Sequence, residues 1–226
     1  MTGLLRYALS LRDGLLAEGV DVSLLHPSPP PIPGPIARGV RRLGLDPFAF
    51  FGSYPTHVQL NGADVYRLAS QNLATLLLFQ QIEPVVVTVH DIIPYLVRHD
   101  RELSTYRHVF HRLFDRLAYL ALRKADAIIA ISEYTKRTLV EHLGYSPDRI
   151  HVVYRAVDTE VFRPREVPPT FRQKYGLSED WRYVLYVGSE DPRKNLQTLT
   201  RAFALVKRQI KKEGQAVKGG RSPFWE

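Results

Sequence analysis

Two nearly continuous β-branched runs, each followed by helical periodicity, narrow the folds open to this chain more than any other feature. Val85-Val86-Val87-Thr88-Val89 is the first and Ala127-Ile128-Ile129-Ala130-Ile131 the second. A strand with one wet face alternates apolar and polar residues. A strand covered on both faces reads as an unbroken apolar run, the habit of parallel sheets. Residues 150–154 and 183–187 have the same character, and a shorter strand is expected around Val65. Helical patterns over residues 71–81, about 102–124, 133–143 and 195–212 lie between or after these runs. Strands alternating with helices predict a doubly wound α/β architecture with a parallel sheet.

Leu4, Ala8, Leu11 and Leu15 recur at helical spacing, and Gly19 stands where a left-handed stop would sit. Residues 3–18 therefore predict an amphipathic helix, and residues 20–25 a strand after it. No strand precedes Gly3, although the first βαβ unit of a nucleotide fold opens with one. The frame is expected to start one strand late, leaving a gap with two open edges in the sheet. Over residues 102–124, Leu103, Tyr106, Phe110, Leu113, Phe114, Leu117 and Ala121 fall on one stripe. Arg101, Arg112, Arg116 and Arg123 face the other way, either as a solvated surface or as a contact for an anionic membrane surface or partner. Ser132 is placed to cap a helix that Gly144 ends.

The proline-rich residues 27–35 predict a loop, because proline lacks the amide donor and fixes φ. The stretch that follows, to Gly62, carries Arg38, Arg41 and Arg42 and then Phe48, Phe50, Phe51 and Tyr54, with periodicity too weak to assign elements. Prolines 164, 168 and 169 mark a linker. The expected organisation is a first domain over residues 1–160 that lacks its first strand, a linker over 161–181, and the beginning of a second domain over 182–226.

At 226 residues the chain has room for one large domain, or one medium domain with part of another. It has no cysteine, which excludes a disulfide framework, a thiolate metal site and a cysteine nucleophile. With no apolar signal core and no long apolar run, a cytoplasmic setting is expected, with the inner face of the membrane as a peripheral station. The 31 Lys and Arg against 23 Asp and Glu give +8, which suits nucleic acid, anionic lipid or phosphorylated ligands. The cations are spread along the chain and no nucleic-acid reading motif is present, so nucleic acid is not an expected partner.

Three places could carry chemistry. His90 and Asp91 directly follow the run 85–89, and ligands of open α/β sheets collect at the carboxyl ends of strands. An imidazole there could bond a sugar hydroxyl or a leaving phosphate, with the carboxylate orienting it. A loop histidine beside a carboxylate making local backbone bonds is the plainer alternative. Gly188-Ser189-Glu190-Asp191-Pro192-Arg193-Lys194-Asn195 joins a strand to a helix and sets two cations beside free amides, an arrangement that attracts phosphate. Two exposed cations at a helix start would look the same. Gly3 could let backbone approach a phosphate closely.

The order of these pieces is more specific than any one of them. The Gly-x-x-Arg-Tyr helix from Gly3, Val87-Thr88-Val89-His90-Asp91-Ile92-Ile93-Pro94, residues 123–133, residues 150–164 and Val187-Gly188-Ser189 through Pro192-Arg193-Lys194-Asn195-Leu196 resemble consecutive blocks of family 4 glycosyltransferases. The likeness covers residues 3–26 and 63–208 and is nearest to the mannosyltransferase-like branch. It implies a GT-B fold of two Rossmann-like domains, the first binding a glycan or lipid-linked acceptor and the second a nucleotide-sugar donor. It also implies hexosyl transfer with retention and no metal or other cofactor. By that likeness His90 and Asp91 are catalytic, and Gly3, Gly188, Arg193 and Lys194 bind the donor phosphates. Two departures stand out: Ser189 replaces the arginine many relatives carry after the glycine of the donor block, and the family's paired glutamates would fall beyond Glu226. The chain is therefore expected to be incomplete and inactive alone, with a non-catalytic glycan-, lipid- or partner-binding module as the alternative.

Overall fold

The computed structural model of the chain describes residues 3–216, apart from 29, 31, 43, 45, 107 and 179–182. These fall into two units, one holding the described residues up to 99 with 104–158, the other residues 100–103 with those from 159 onward. The first unit opens with α1 (Gly3–Ala17), α2 (Gly34–Arg42) and α3 (Pro47–Ser53). Then come β1 (Tyr66–Leu68), a 3-10 turn (Gln71–Thr75) leading into α4 (Leu76–Phe79), β2 (Val85–Val89), α5 (Ile93–Leu96) and α6 (Val109–Ala121). It closes with β3 (Ala127–Ala130), α7 (Glu133–Leu143) and β4 (Ile150–Val152).

All four strands are parallel and pair in the order β1-β2-β3-β4, with Leu68 and Ile128 both in register with Val87. Val87 and Val89 point to one face of β2 and Thr88 to the other, and all three are fully buried. That double burial is why the run lacks polar alternation. The core gathers these valines with Leu76, Ile92, Leu122, Ile128, Leu139 and Ile150. The mixed α/β, Rossmann-like character expected from the sequence is what forms.

Helix ends follow their signals. Gly19 has φ +82, and Val20 and Gly19 donate their N–H groups to the carbonyls of Leu15 and Leu16, the paired bonds of a left-handed stop. The Ser132 hydroxyl accepts from Thr135 N–H at 3.1 Å, and Gly144 ends α7 at φ +66. In the unassigned stretch, α3 starts at Asp46-Pro47, where the Asp46 carboxylate accepts from Phe48 N–H and proline occupies the first turn.

Several expectations are corrected. Residues 20–25 form no strand, and the sheet is an unbroken run with β1 at its edge instead of two edges around a gap. Residues 20–25 pair with none of the four strands, and the outer edge of β1 stays open among the described residues. Residues 102–106 and 108 are not helical. Asp100 draws the N–H groups of Glu102 and Leu103 into a turn, and the Ser104 hydroxyl accepts from Tyr106 N–H; such local bonds compete with a helical ladder. The inner face of α6 is centred on Asp115, Ala118 and Tyr119, while Phe110 and Leu113 of the expected apolar stripe are about half exposed. The basic stripe shrinks to Arg112 and Arg116, since Arg101 lies in the turn and Arg123 bonds the Leu143 carbonyl.

The second unit contains α8 (Pro169–Lys174), a 3-10 turn (Pro192–Lys194) and α9 (Leu196–Ala216). The strand expected at 183–187 does not form: no strand is present among the described residues of this unit, so it has no neighbour to pair with. Leu185 and Val187 are accordingly 85% exposed.

Candidate functional site

β2 delivers His90 and Asp91 to the carboxyl end of the sheet, where they are clamped through their backbone. The Gln71 amide accepts from His90 N–H at 3.1 Å and donates to the Asp91 carbonyl at 3.0 Å. The Thr135 hydroxyl, in the first turn of α7, donates to the His90 carbonyl at 3.2 Å. The Asp91 carboxylate accepts from Ile93 N–H at 3.0 Å and so caps the turn into α5.

The His90 ring is only 7% exposed and both its nitrogens are engaged. Nε2 lies 2.7 Å from the Ala69 carbonyl, and Nδ1 meets the Arg155 guanidinium. A guanidinium only donates, so Nδ1 must offer its lone pair and Nε2 must carry the proton given to Ala69. The ring is therefore neutral, and its pKa lies below the usual histidine value. Burial is the main cause; Arg155 and Arg67 add to it, while the Ala69 carbonyl and Asp91 oppose it.

Tyr7 of α1 sets its ring edge-on to His90 at 5.1 Å, and the Arg155 guanidinium lies 5.1 Å over the Tyr7 ring. Arg67 of β1 donates to the Tyr7 hydroxyl at 2.9 Å and to the Thr88 hydroxyl at 3.3 Å. Neither Arg67 nor Arg155 joins a salt bridge among the described residues. Two uncompensated cations beside a neutral imidazole make this end of the sheet attractive to an anion. Sequence reasoning gave no role to Tyr7, Arg67, Gln71, Thr135 or Arg155. Tyr7 and Arg155 do stand inside the motif blocks, which was the available signal.

Gln71 also borders a polar cavity of about 290 Å³, with Tyr54, Asn72, Tyr106, His111 and Asp115. Asp115 is buried, and burial pushes its pKa up against the opposing pull of the Tyr54 and Tyr106 hydroxyls, that of Tyr54 donating at 2.5 Å. His111 Nδ1 is buried with no partner among the described residues, and burial lowers the pKa of its ring. The lining could recognise hydroxyl groups, in a volume at the small end of ligand cavities.

The family model for Glycosyltransferase Family 4 matches residues 1–161. The chain belongs to glycosyltransferase family 4. A D-inositol 3-phosphate glycosyltransferase of Thermomonospora curvata is 38% identical over 87 residues, 36% of this chain and 20% of that protein. O-antigen chain mannosyltransferase B of Escherichia coli is 28% identical over 129 residues, 56% of this chain and 32% of that protein. The serotype-specific mannosyltransferase WbdA of Escherichia coli is 29% identical over 126 residues, 54% of this chain and 14% of that protein. Each match thus spans a third or less of the relative's length.

In this family 4 chain the donor-block residues lie as follows. Gly3 opens α1, whose first turn holds no acidic residue, and a Cβ there would meet nothing within 4 Å. Gly188 is crowded by the Tyr186 hydroxyl, which a Cβ would meet at 2.7 Å. Arg193 and Lys194 stand on the 3-10 turn ahead of α9, and Lys194 is exposed. The Arg193 guanidinium forks onto the Asp191 carboxylate at 2.6 Å and, with its own backbone N–H, holds that carboxyl down to about 2. His90 and Asp91 belong to the first unit, Arg193 and Lys194 to the second. Among the described residues no group of three His, Asp or Glu side chains is placed to hold a metal ion.

Proposed function

We propose that this chain is the acceptor-side domain of a hexosyltransferase with the opening of its donor domain. The reaction moves a hexosyl group, mannosyl in the first instance, from a nucleotide-sugar to a glycan or lipid-linked acceptor. It proceeds with retention, without a metal or other cofactor, in the cytoplasm, and peripherally at the inner face of the membrane where the acceptor is lipid-linked.

The observation that carries this reading is the His90 cluster in a family 4 chain: a neutral imidazole and two guanidiniums that join no salt bridge among the described residues, at the carboxyl end of a parallel sheet. Nδ1 is the ring atom open to exchange, because its partner Arg155 is an exposed, long side chain. A sugar hydroxyl donating to Nδ1 would take the place of Arg155 and release that guanidinium toward the phosphate charge of the departing nucleoside diphosphate. Arg193 and Lys194 would hold the same diphosphate from the donor domain, with Gly3 and Gly188 leaving backbone close to it. Two relatives named as mannosyltransferases support the choice of sugar.

The second reading is a non-catalytic module that binds a glycan or a partner subunit. It is favoured by the second unit, where no described residue from 159 to 210 is buried. Transfer assays with activated mannose or glucose donors separate the two. The 226 residues alone should give no product, and the frame extended through its neighbouring coding sequence should give transfer that falls about a hundredfold in His90→Ala. Turnover by the 226-residue chain would refute its incompleteness. An inactive extended frame that co-purifies with a separate subunit would favour the module.

A further inference from the structure

Apart from the His90 cluster, the first unit has a cavity of about 300 Å³ lined by Tyr95, Arg98, His99, Tyr106, Arg112 and Arg116. None of these arginines joins a salt bridge among the described residues. Arg98 is held in place: its Nη1 donates to the Tyr95 carbonyl at 2.6 Å and its guanidinium lies 3.8 Å over the Tyr95 ring. Arg112 and Arg116 stand four residues apart on α6, a spacing at which like charges repel. Three cations gathered round one cavity with no carboxylate lining it oppose folding, and a bound phosphate would remove that cost.

The same helix presents an apolar surface beside the cavity. Val109, Leu113 and Leu120 are 73%, 49% and 52% exposed. At about 100° per residue they share a sector of roughly 40°, with Arg116 bordering it and Arg112 beyond. An exposed apolar stripe edged by arginines is the pattern of a helix lying in a lipid interface, with the cations reaching headgroups and the aliphatic residues the acyl boundary.

We infer that this face of α6 docks on an anionic bilayer, with Val109, Leu113 and Leu120 entering the interface while Arg98, Arg112 and Arg116 hold a lipid phosphate in the cavity. This deepens the proposed reading, on which it rests for a lipid-linked acceptor, by assigning the surface that meets the lipid.

Flotation of the purified chain with vesicles, without any nucleotide-sugar, tests it. The chain should float with phosphatidylglycerol–phosphatidylcholine vesicles and stay down with phosphatidylcholine alone. Arg112→Gln with Arg116→Gln should lower the bound fraction roughly tenfold or more. Leu113→Ser with Leu120→Ser should also release the chain; both positions are exposed, and circular dichroism checks that each variant folds. No flotation with the anionic vesicles overturns the inference. So does flotation that survives the leucine changes, since binding would then be electrostatic alone. Because no sugar is transferred in this experiment, its failure leaves the transferase reading standing, and a failed transfer assay leaves this surface standing.

Discussion

His90 has two ring nitrogens and both are spoken for, which decides its charge before any ligand arrives. The fold accommodates the neutral ring, so the folded pKa lies below the unfolded value of about 6.5. Between those two values the unfolded chain binds the proton and the folded chain does not. Stability is therefore retained above about pH 6.5 and declines as pH falls toward the folded pKa, by at most about 1.4 kcal/mol per pH unit. His111 is depressed in the same direction, while buried Asp115, raised, works in the opposite one. The informative quantity is thus the difference between wild type and His90→Gln in urea midpoints from pH 7.5 to 5.5. Wild type should lose more stability on acidification than the variant, and parallel curves would mean that His90 titrates like a free histidine. The groups facing the ring, Arg155, Arg67, Asp91 and Tyr7, are unchanged in that comparison.

At the scale of elements, signals acting within a few residues are honoured and those needing distant partners are not. Gly144 ends α7 at φ +66, where a Cβ would meet only the Arg123 guanidinium at an ordinary 3.9 Å. The cost of Gly144→Ala is then backbone strain, about 1 kcal/mol, while Gly144→Asn should cost less because asparagine tolerates the left-handed region. Urea unfolding at neutral pH reads both, and equal effects would point to side-chain crowding instead. The run at 85–89 was legible for a similar reason, since burial on both faces writes itself into composition, while at 127–130 Ile128 and Ala130 are buried and the other face is half-buried. Residues 20–25 and 183–187 look just as strand-like, but 183–187 have no strand to pair with among the described residues of their unit, and 20–25 stay off the sheet although β1 keeps an open edge. The face of α6 was misread because its buried centre is Asp115, a carboxylate satisfied by Tyr54 from far along the chain and by Tyr106. Nothing at position 115 itself announces that pairing. At the candidate site the histidine was legible from its place after β2, whereas Gln71, Arg67 and Arg155 reach it only through the fold.

On the scale of the whole molecule the two units differ in what they bury. The first has a four-stranded sheet with a buried hydrophobic core, and the second has no buried residue among those described from 159 to 210. Hydrophobic burial is the main source of cooperative stability, so opening free energies should divide along the same line. Native-state hydrogen exchange should find the amides of β2 and β3 the slowest, exchanging only through global unfolding of the first unit. Those of α9 should exchange orders of magnitude faster, because an isolated helix of 21 residues with exposed apolar side chains such as Leu205 and Val206 is marginal in water. The contrast bears on function. If Arg193 and Lys194 are to grip a diphosphate, they need a rigid support, and that rigidity has to come from surfaces packed against α9 that the described residues of its own unit do not supply. Protection of α9 equal to that of β2 in the 226-residue chain would show that the second unit is already stable, and would remove the reason to expect that this chain alone cannot hold a donor.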